Sequence, residues 1–183
     1  MSDTDPVNRT AVAAAHALHV LQTGPLADLR RMDPEAGSAA FWRLAAQHPD
    51  SIGTKPLEWA DIIRILAILT PKGAPENRLP LHDASRPFGT VLCDGGDPAW
   101  SGDRPVLSEL RLAQLLAARG PARIDALTRV ARMLARSRPA AAGLDVRGIA
   151  WAVLDSKGSA RIAEHYYRRL DRAEAARTKE ATA

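Results

Sequence analysis

A helix-compatible segment with very little polar surface constrains the fold of this chain most strongly. Residues 56–69 carry only three charged side chains, Glu58, Asp61 and Arg64, spaced three residues apart. In a helix this spacing confines the charges to one narrow stripe, and tryptophan, isoleucine and leucine cover the remaining surface. A helix this apolar needs neighbours on most sides. The segment therefore predicts a central, buried helix.

The rest of the sequence favours helices as well. Its apolar residues are mainly alanine and leucine, and aromatic residues make up only 4% of the chain. Unbranched side chains lose little rotamer freedom in a helix, so this composition predicts an all-α fold, a helical bundle. Helix-start and helix-stop signals place helices at residues 9–22, 34–48, 56–69, 105–119, 121–138, 146–155 and from Ser156 or Ser159 to about 173, with a short amphipathic turn at residues 26–32.

A proline-rich stretch divides the predicted helices into two groups. Residues 71–105 contain six prolines and the pair Gly95-Gly96, which interrupt any long helix. We predict an N-terminal helical lobe at 1–70, an irregular connection at 71–104, a basic C-terminal helical lobe at 105–175 and a frayed tail at 176–183. Because a structureless loop of this length is uncommon in a compact domain, the connection is functional, partly disordered, or contains a short element near residues 88–92.

The positive charge is concentrated in the C-terminal part of the chain. Residues 1–103 contain 9 Lys+Arg and 13 Asp+Glu, whereas residues 104–183 contain 16 and 8. Arginine dominates the second group, and its planar guanidinium suits bidentate hydrogen bonding to phosphate oxygens. This asymmetry predicts a polyanion-binding surface on the C-terminal half. The alternative is a high-GC codon bias, which also enriches arginine and alanine.

The predicted helix at 121–138 has the clearest division between two faces. At 100° per residue, Arg129, Arg132 and Arg136 fall within about 60° of one another, opposite a row of aliphatic residues. Such a stripe suits sequence-independent contact with a phosphate backbone. The alternative is an ordinary solvated helix face on which Asp125 pairs with Arg129.

Other residues that could carry chemistry give weaker signals. His16 and His19 are three residues apart on one helix, but no third ligand has a suitable spacing, so no metal site is predicted. Cys93 is the only cysteine and lacks a nucleophile motif. The sequence contains no phosphate-binding glycine loop, and no cofactor is expected. Trp42, Trp59, Trp151, Tyr166 and Tyr167 lie in apolar helical stretches, which favours core packing over base stacking.

The N-terminal sequence and the hydropathy pattern predict a cytoplasmic protein without a membrane association. The first ten residues are polar and acidic and lack a signal-peptide pattern. No run of about 18 apolar residues is present. A single cysteine also fits a reducing compartment.

Several strings, taken in order, resemble the CasB family, the small subunit of the type I-E CRISPR Cascade complex. They are LADLRR at 26–31, FWRL at 41–44, LRLAQLLAAR at 110–119, ALTRVARMLA at 126–135 and HYYR at 165–168. Each string alone is a simple helical pattern, and their order and spacing carry the resemblance over residues 25–170.

The resemblance implies an all-α subunit without catalytic activity. Two copies of such a subunit line an RNA-guided complex, beside the other Cascade subunits, and help to hold the CRISPR RNA–target DNA duplex and the displaced strand. Nucleic-acid-binding positions that match the family are Arg30, Arg31, Arg43, Arg111, Arg119, Arg129 and Arg132, and Arg136 is added from the helical stripe. The alternatives are a scaffold that docks on acidic partners and a small helical hydrolase that uses His16 and His19.

Overall fold

The computed structural model describes residues 5–102, 104–139, 142–155 and 158–182, and within these ranges the fold is all-α, as predicted. The described ranges contain no β-strand, only an isolated β-bridge between His82 and Leu144. The helices are α1 (Pro6–Val20), α2 (Thr23–Arg31), α3 (Ala39–Gln47), α4 (Pro56–Leu69), α5 (Phe88–Asp94), α6 (Glu109–Ala117), α7 (Gly120–Ser137), α8 (Val146–Leu154) and α9 (Gly158–Thr182), with a 3₁₀ turn at Pro75–Asn77.

Helix α4 is the centre of the core, which confirms the prediction from its apolar surface. Trp59, Ile62, Ile63 and Leu66 are each at most 1% exposed. The helix packs against α1, α2, α3, α7 and α8. Each fully buried side chain of this size contributes about 1.5–3 kcal/mol, more than a typical exposed ion pair. The neighbouring helices therefore take their positions around α4.

Three helices lie within one residue of their predicted bounds. The bounds of α4 are confirmed, and α7 starts and ends one residue early. Helix α8 begins as expected after Asp145, whose carboxylate accepts a hydrogen bond from the Arg147 backbone amide at 3.1 Å. These helices carry their own start signals, proline at the first turn for α4 and α7 and an N-cap for α8.

The predicted starts of α1 and α3 were wrong. Asp5, not Asn8, caps α1 by accepting from the Val7 amide at 2.8 Å, with proline at the first helical position. Helix α3 does not start at residue 34 because Gly37 adopts a φ of +70°, which a right-handed helix cannot include. Ser38 caps it instead, its hydroxyl accepting from the Phe41 amide at 3.3 Å.

Helices α2 and α6 also differ from their predicted bounds. Helix α2 starts earlier, at Thr23, and its proline lies in the first turn, where no amide is needed. Helix α6 starts four residues later than predicted, because the backbone amides of Val106 and Leu107 donate to carbonyls of α5, Cys93 and Leu92, at 2.9 Å each.

The connection at 71–104 is not irregular throughout. It contains the 3₁₀ turn and α5, which confirms the alternative of a short element near residues 88–92. Asp94, at the end of α5, is 3% exposed and accepts from Arg86 at 3.1 Å and from Arg169 of α9 at 2.9 Å. The Arg169 guanidinium also lies 5.0 Å from the centre of the Trp100 ring. These contacts join the connection to the last helix.

The division into two lobes is not confirmed. Helices α1 and α4 of the predicted first lobe pack on α8, and α4 also packs on α7. Their buried side chains belong to one continuous hydrophobic cluster.

The last helix is longer than predicted. Helix α9 continues through Thr182, past the expected end near residue 173, because no proline or glycine interrupts residues 159–182. The predictions for residues 1–4, Ser156 and residue 183 lie outside the described ranges. Among the described helices, none combines the length and the apolar surface that crossing a membrane requires.

We predict that Asp94→Ala lowers the free energy of unfolding by about 3–5 kcal/mol, because it leaves two guanidiniums without their shared buried carboxylate. Urea denaturation measures the loss. The matched control is Asp28→Ala, which breaks an ion pair with Arg31 at the surface and should cost less than about 1 kcal/mol. Equal losses in the two variants would show that the connection is not held to α9 by this network.

Candidate nucleic-acid interface

Helix α7 presents its two faces as the sequence predicted. Leu127, Val130, Ala131 and Leu134 are buried, and α7 packs on α4. The arginines of the opposite face are exposed. The residues that line an open groove of about 460 Å³ on this face are Arg129, Arg132, Met133, Arg136 and Ser137.

A second groove runs between α6 and α7 and joins the first, because Arg129 and Met133 line both. It has a volume of about 440 Å³. Its floor is apolar, with Leu115, Ala126 and Val130 among its lining residues, and Arg111 contributes a second guanidinium from α6. The structure thus brings four of the predicted arginines together on one surface, which we call the α6–α7 surface: Arg111, Arg129, Arg132 and Arg136.

Contacts from the core fix the position of α6. The Tyr166 hydroxyl of α9 donates to the Leu107 carbonyl at 2.6 Å, and its ring is fully buried. Leu107, which lies two residues before α6, lines the groove. The wall opposite α7 is therefore anchored to both α5 and α9.

The guanidiniums of the α6–α7 surface are available for a ligand. Among the described residues, no carboxylate forms an ion pair with Arg111, Arg129, Arg132 or Arg136. The alternative of an Asp125–Arg129 pair is therefore not observed.

The negative charge of Asp125 acts on Asp61 of α4. Burial raises the pKa of the Asp61 carboxyl, and the charges of Asp125 and Glu58 raise it further, whereas Arg64 lowers it. Arg64 forms an ion pair with Asp61 at 2.9 Å, as the sequence spacing suggested. Asp61 is paired with Arg64, and Asp125 forms no ion pair with Arg129 among the described residues. The arginine stripe of α7 is therefore left without a compensating carboxylate.

Two of the predicted arginines bind helix ends within the protein. Arg30 donates to the carbonyls of Ala67 and Thr70, at 2.8 Å each, at the end of α4. Burial and the charge of Arg78 lower the pKa of Arg30. Arg119 donates to the carbonyls of Leu116 and Ala118 at the end of α6. These guanidiniums satisfy carbonyls that a helix end leaves unpaired, and neither lines the grooves of the α6–α7 surface.

The other two predicted arginines lie elsewhere. Arg31, on α2, is exposed and forms an ion pair with Asp28 at 3.4 Å. Arg43, on α3, is exposed. Neither residue lines the grooves of the α6–α7 surface.

The apolar floor of the second groove and two of its lining residues were not predicted from the sequence. Gln114 lines the second groove and Met133 lines both grooves. The signal was available in the helical spacing, because Gln114 is three residues from Arg111 and Met133 is four residues from Arg129.

The residues that suggested other chemistry have ordinary environments. His16 is exposed and His19 is half-buried. In the residues that the structure describes, no cluster of three or more His, Cys, Asp or Glu side chains is placed to hold a metal ion. Cys93 is buried, and burial raises the pKa of its thiol to about 12, so very little reactive thiolate forms at neutral pH.

The aromatic residues divide between core and surface. Trp59 and Tyr166 are buried, which confirms core packing for these two. Trp151 is half-buried and donates to the Asn8 side chain at 2.9 Å. Trp42 and Tyr167 are 50% and 39% exposed, so core packing was wrong for both.

Comparison of the chain with models of protein families, with curated proteins and with solved structures finds no match.

We predict that replacing an arginine that binds a helix end lowers stability, whereas replacing one of the α6–α7 surface does not. Arg30→Ala should lower the free energy of unfolding by about 1.5–3 kcal/mol, because two charged hydrogen bonds to helix-end carbonyls are lost. Arg132→Ala should unfold at the same urea concentration as the wild type, because its guanidinium has no ion-pair partner among the described residues. A destabilised Arg132→Ala variant would mean that the α7 arginines have a structural role.

Proposed function

We propose that the chain binds the backbone of nucleic acid through the α6–α7 surface. One observation carries this proposal: four exposed guanidiniums line two joined grooves, and no carboxylate of the described residues neutralises them. Guanidiniums bind phosphate oxygens with strong, charge-assisted hydrogen bonds. The apolar face of α7 holds them in place while their charged ends remain in water.

The dimensions of the stripe suit a phosphate backbone. From residue 129 to residue 136, an α-helix rises about 10 Å. One strand of B-form DNA carries a phosphate about every 3.4 Å along its axis, so the stripe spans about three phosphates. Arg111 adds a contact across the groove. Contacts of this kind position a strand without reading its bases.

This chemistry fits the resemblance to CasB. In an RNA-guided complex, base pairing reads the target sequence and the protein needs to hold only the backbone. We propose that the chain is a non-catalytic small subunit of a Cascade complex and works beside the other Cascade subunits and a second copy of itself. In this role the α6–α7 surface contacts the CRISPR RNA–target DNA duplex or the displaced strand, which lowers the free energy of the opened DNA.

The apolar floor of the groove favours a second candidate function, docking of an acidic partner protein. An amphipathic helix with leucines on one face and carboxylates at its edges would match this floor and the flanking arginines. Binding to such a partner survives nuclease treatment, whereas binding to a nucleic acid does not. A pull-down with and without nuclease therefore separates the two functions.

We predict a steep salt dependence for the binding of short single-stranded and double-stranded DNA. If four arginines each neutralise one phosphate, the logarithm of the binding constant should fall against the logarithm of salt concentration with a slope of roughly −3 to −4. The combined Arg129→Gln, Arg132→Gln and Arg136→Gln variant should lose roughly 2 to 3 of that slope. Fluorescence anisotropy over a salt series measures both values.

A matched variant on α9 controls for the loss of net charge. Arg161→Gln, Arg168→Gln and Arg172→Gln remove three exposed arginines that do not line the α6–α7 surface. We expect this variant to keep most of the slope. Equal slopes for both triple variants, or a slope near zero for the wild type, would refute backbone binding at this surface.

A further inference from the structure

A separate cavity lies where α1 meets the start of α8 and the segment around His82. Its volume is about 440 Å³, within the range of small-molecule sites. It shares no lining residue with the α6–α7 surface. Four of its lining residues are ionisable: Arg9, His16, His82 and Arg147.

The ionisable lining residues all carry positive charge when protonated. Arg9 and Arg147 contribute guanidiniums, and His16 and His82 contribute imidazoles, whereas none of the described residues that line the cavity carries a carboxylate. Arg9 is exposed, and among the described residues it forms no ion pair. Because the Asp145 carboxylate balances the charge of Arg147, the charge of Arg9 is the one that attracts an anion to this concave site.

One of the guanidiniums is held in place before any ligand binds. Arg147 donates to both carboxylate oxygens of Asp145, from Nε at 2.8 Å and from a terminal nitrogen at 2.9 Å. Asp145 is itself fixed as the N-cap of α8. A side chain that is already ordered loses little conformational entropy when it contacts a ligand.

The imidazole of His82 also lines the cavity and lies beside Asp145. Its Nδ1 atom is buried, has no hydrogen-bond partner among the residues that the structure describes, and lies 3.9 Å from an Asp145 carboxylate oxygen. Burial lowers the pKa of His82, with Asp145 and Asp83 opposing the change and Arg147 and His16 adding to it. A neutral imidazole supplies one hydrogen-bond donor to a bound oxyanion.

We propose that this cavity binds a phosphate group, carried by a mononucleotide-sized molecule or by a nucleic-acid strand. Arg9 supplies the free charge, Arg147 supplies an oriented guanidinium, and the histidines supply further hydrogen-bond donors. The site does not depend on the proposed function of the α6–α7 surface, because the two have no residue in common.

Nuclear magnetic resonance titrations of the full chain test this site. The probes are inorganic pyrophosphate, adenosine monophosphate and a single-stranded hexathymidylate. Binding should shift the side-chain signals of Arg9, Arg147 and His16. Arg9→Gln should weaken the binding at these signals by about tenfold, the loss expected for one charged hydrogen bond. The matched control is Arg43→Gln, an exposed arginine outside the cavity, which should leave the affinity unchanged.

The three probes distinguish the source of the phosphate. Shifts with pyrophosphate or adenosine monophosphate support a small-molecule site, and shifts with the oligonucleotide alone support a strand contact. The combined Arg129→Gln, Arg132→Gln and Arg136→Gln variant should keep the cavity shifts, so a failure of the α6–α7 surface is seen separately. The absence of shifts with all three probes, or equal affinity in Arg9→Gln, would overturn the proposal.

Discussion

Burial of α4 is the constraint on which the rest of this structure depends. Its surface is apolar on nearly every side, so it is stable in water only when other helices cover it. Helix α7 supplies part of that cover with Leu127, Val130, Ala131 and Leu134. Because these residues must face the core, the arginines on the other side of α7 must face the solvent. The orientation of the candidate interface is thus a consequence of core packing.

The same packing divides the arginines of the chain into two kinds. Several guanidiniums bind carbonyls at the ends of helices, where the backbone leaves acceptors unpaired. They are Arg30 and Arg138 at α4, Arg78 at α1, Arg119 at α6 and Arg123 at α8. The arginines of the α6–α7 surface are the other kind, because among the described residues they donate to no helix-end carbonyl. A high arginine content therefore serves both stability and, in our proposal, phosphate binding.

Local patterns predicted the helical fold, the bounds of α4 and the two faces of α7, because each depends on residues within a few turns. The partners of the arginines were not predictable in this way. Arg30 contacts Ala67 and Thr70, which lie 37 and 40 positions further along the sequence. Arg138 contacts Leu69, which lies 69 positions before it. Periodicity cannot show which helix end meets which side chain. The start of α6 was misplaced for the same reason, since distant carbonyls of α5 hold the segment before it.

Photocrosslinking tests the central claim, that α7 presents an open phosphate-binding face, most directly. A photoreactive residue at position 137, which is exposed and lines the groove, should crosslink to single-stranded DNA at low salt, and much less at high salt. The same residue at position 57, which is 52% exposed and outside the groove, should not crosslink. Equal crosslinking at both positions, or none at position 137, would contradict the account.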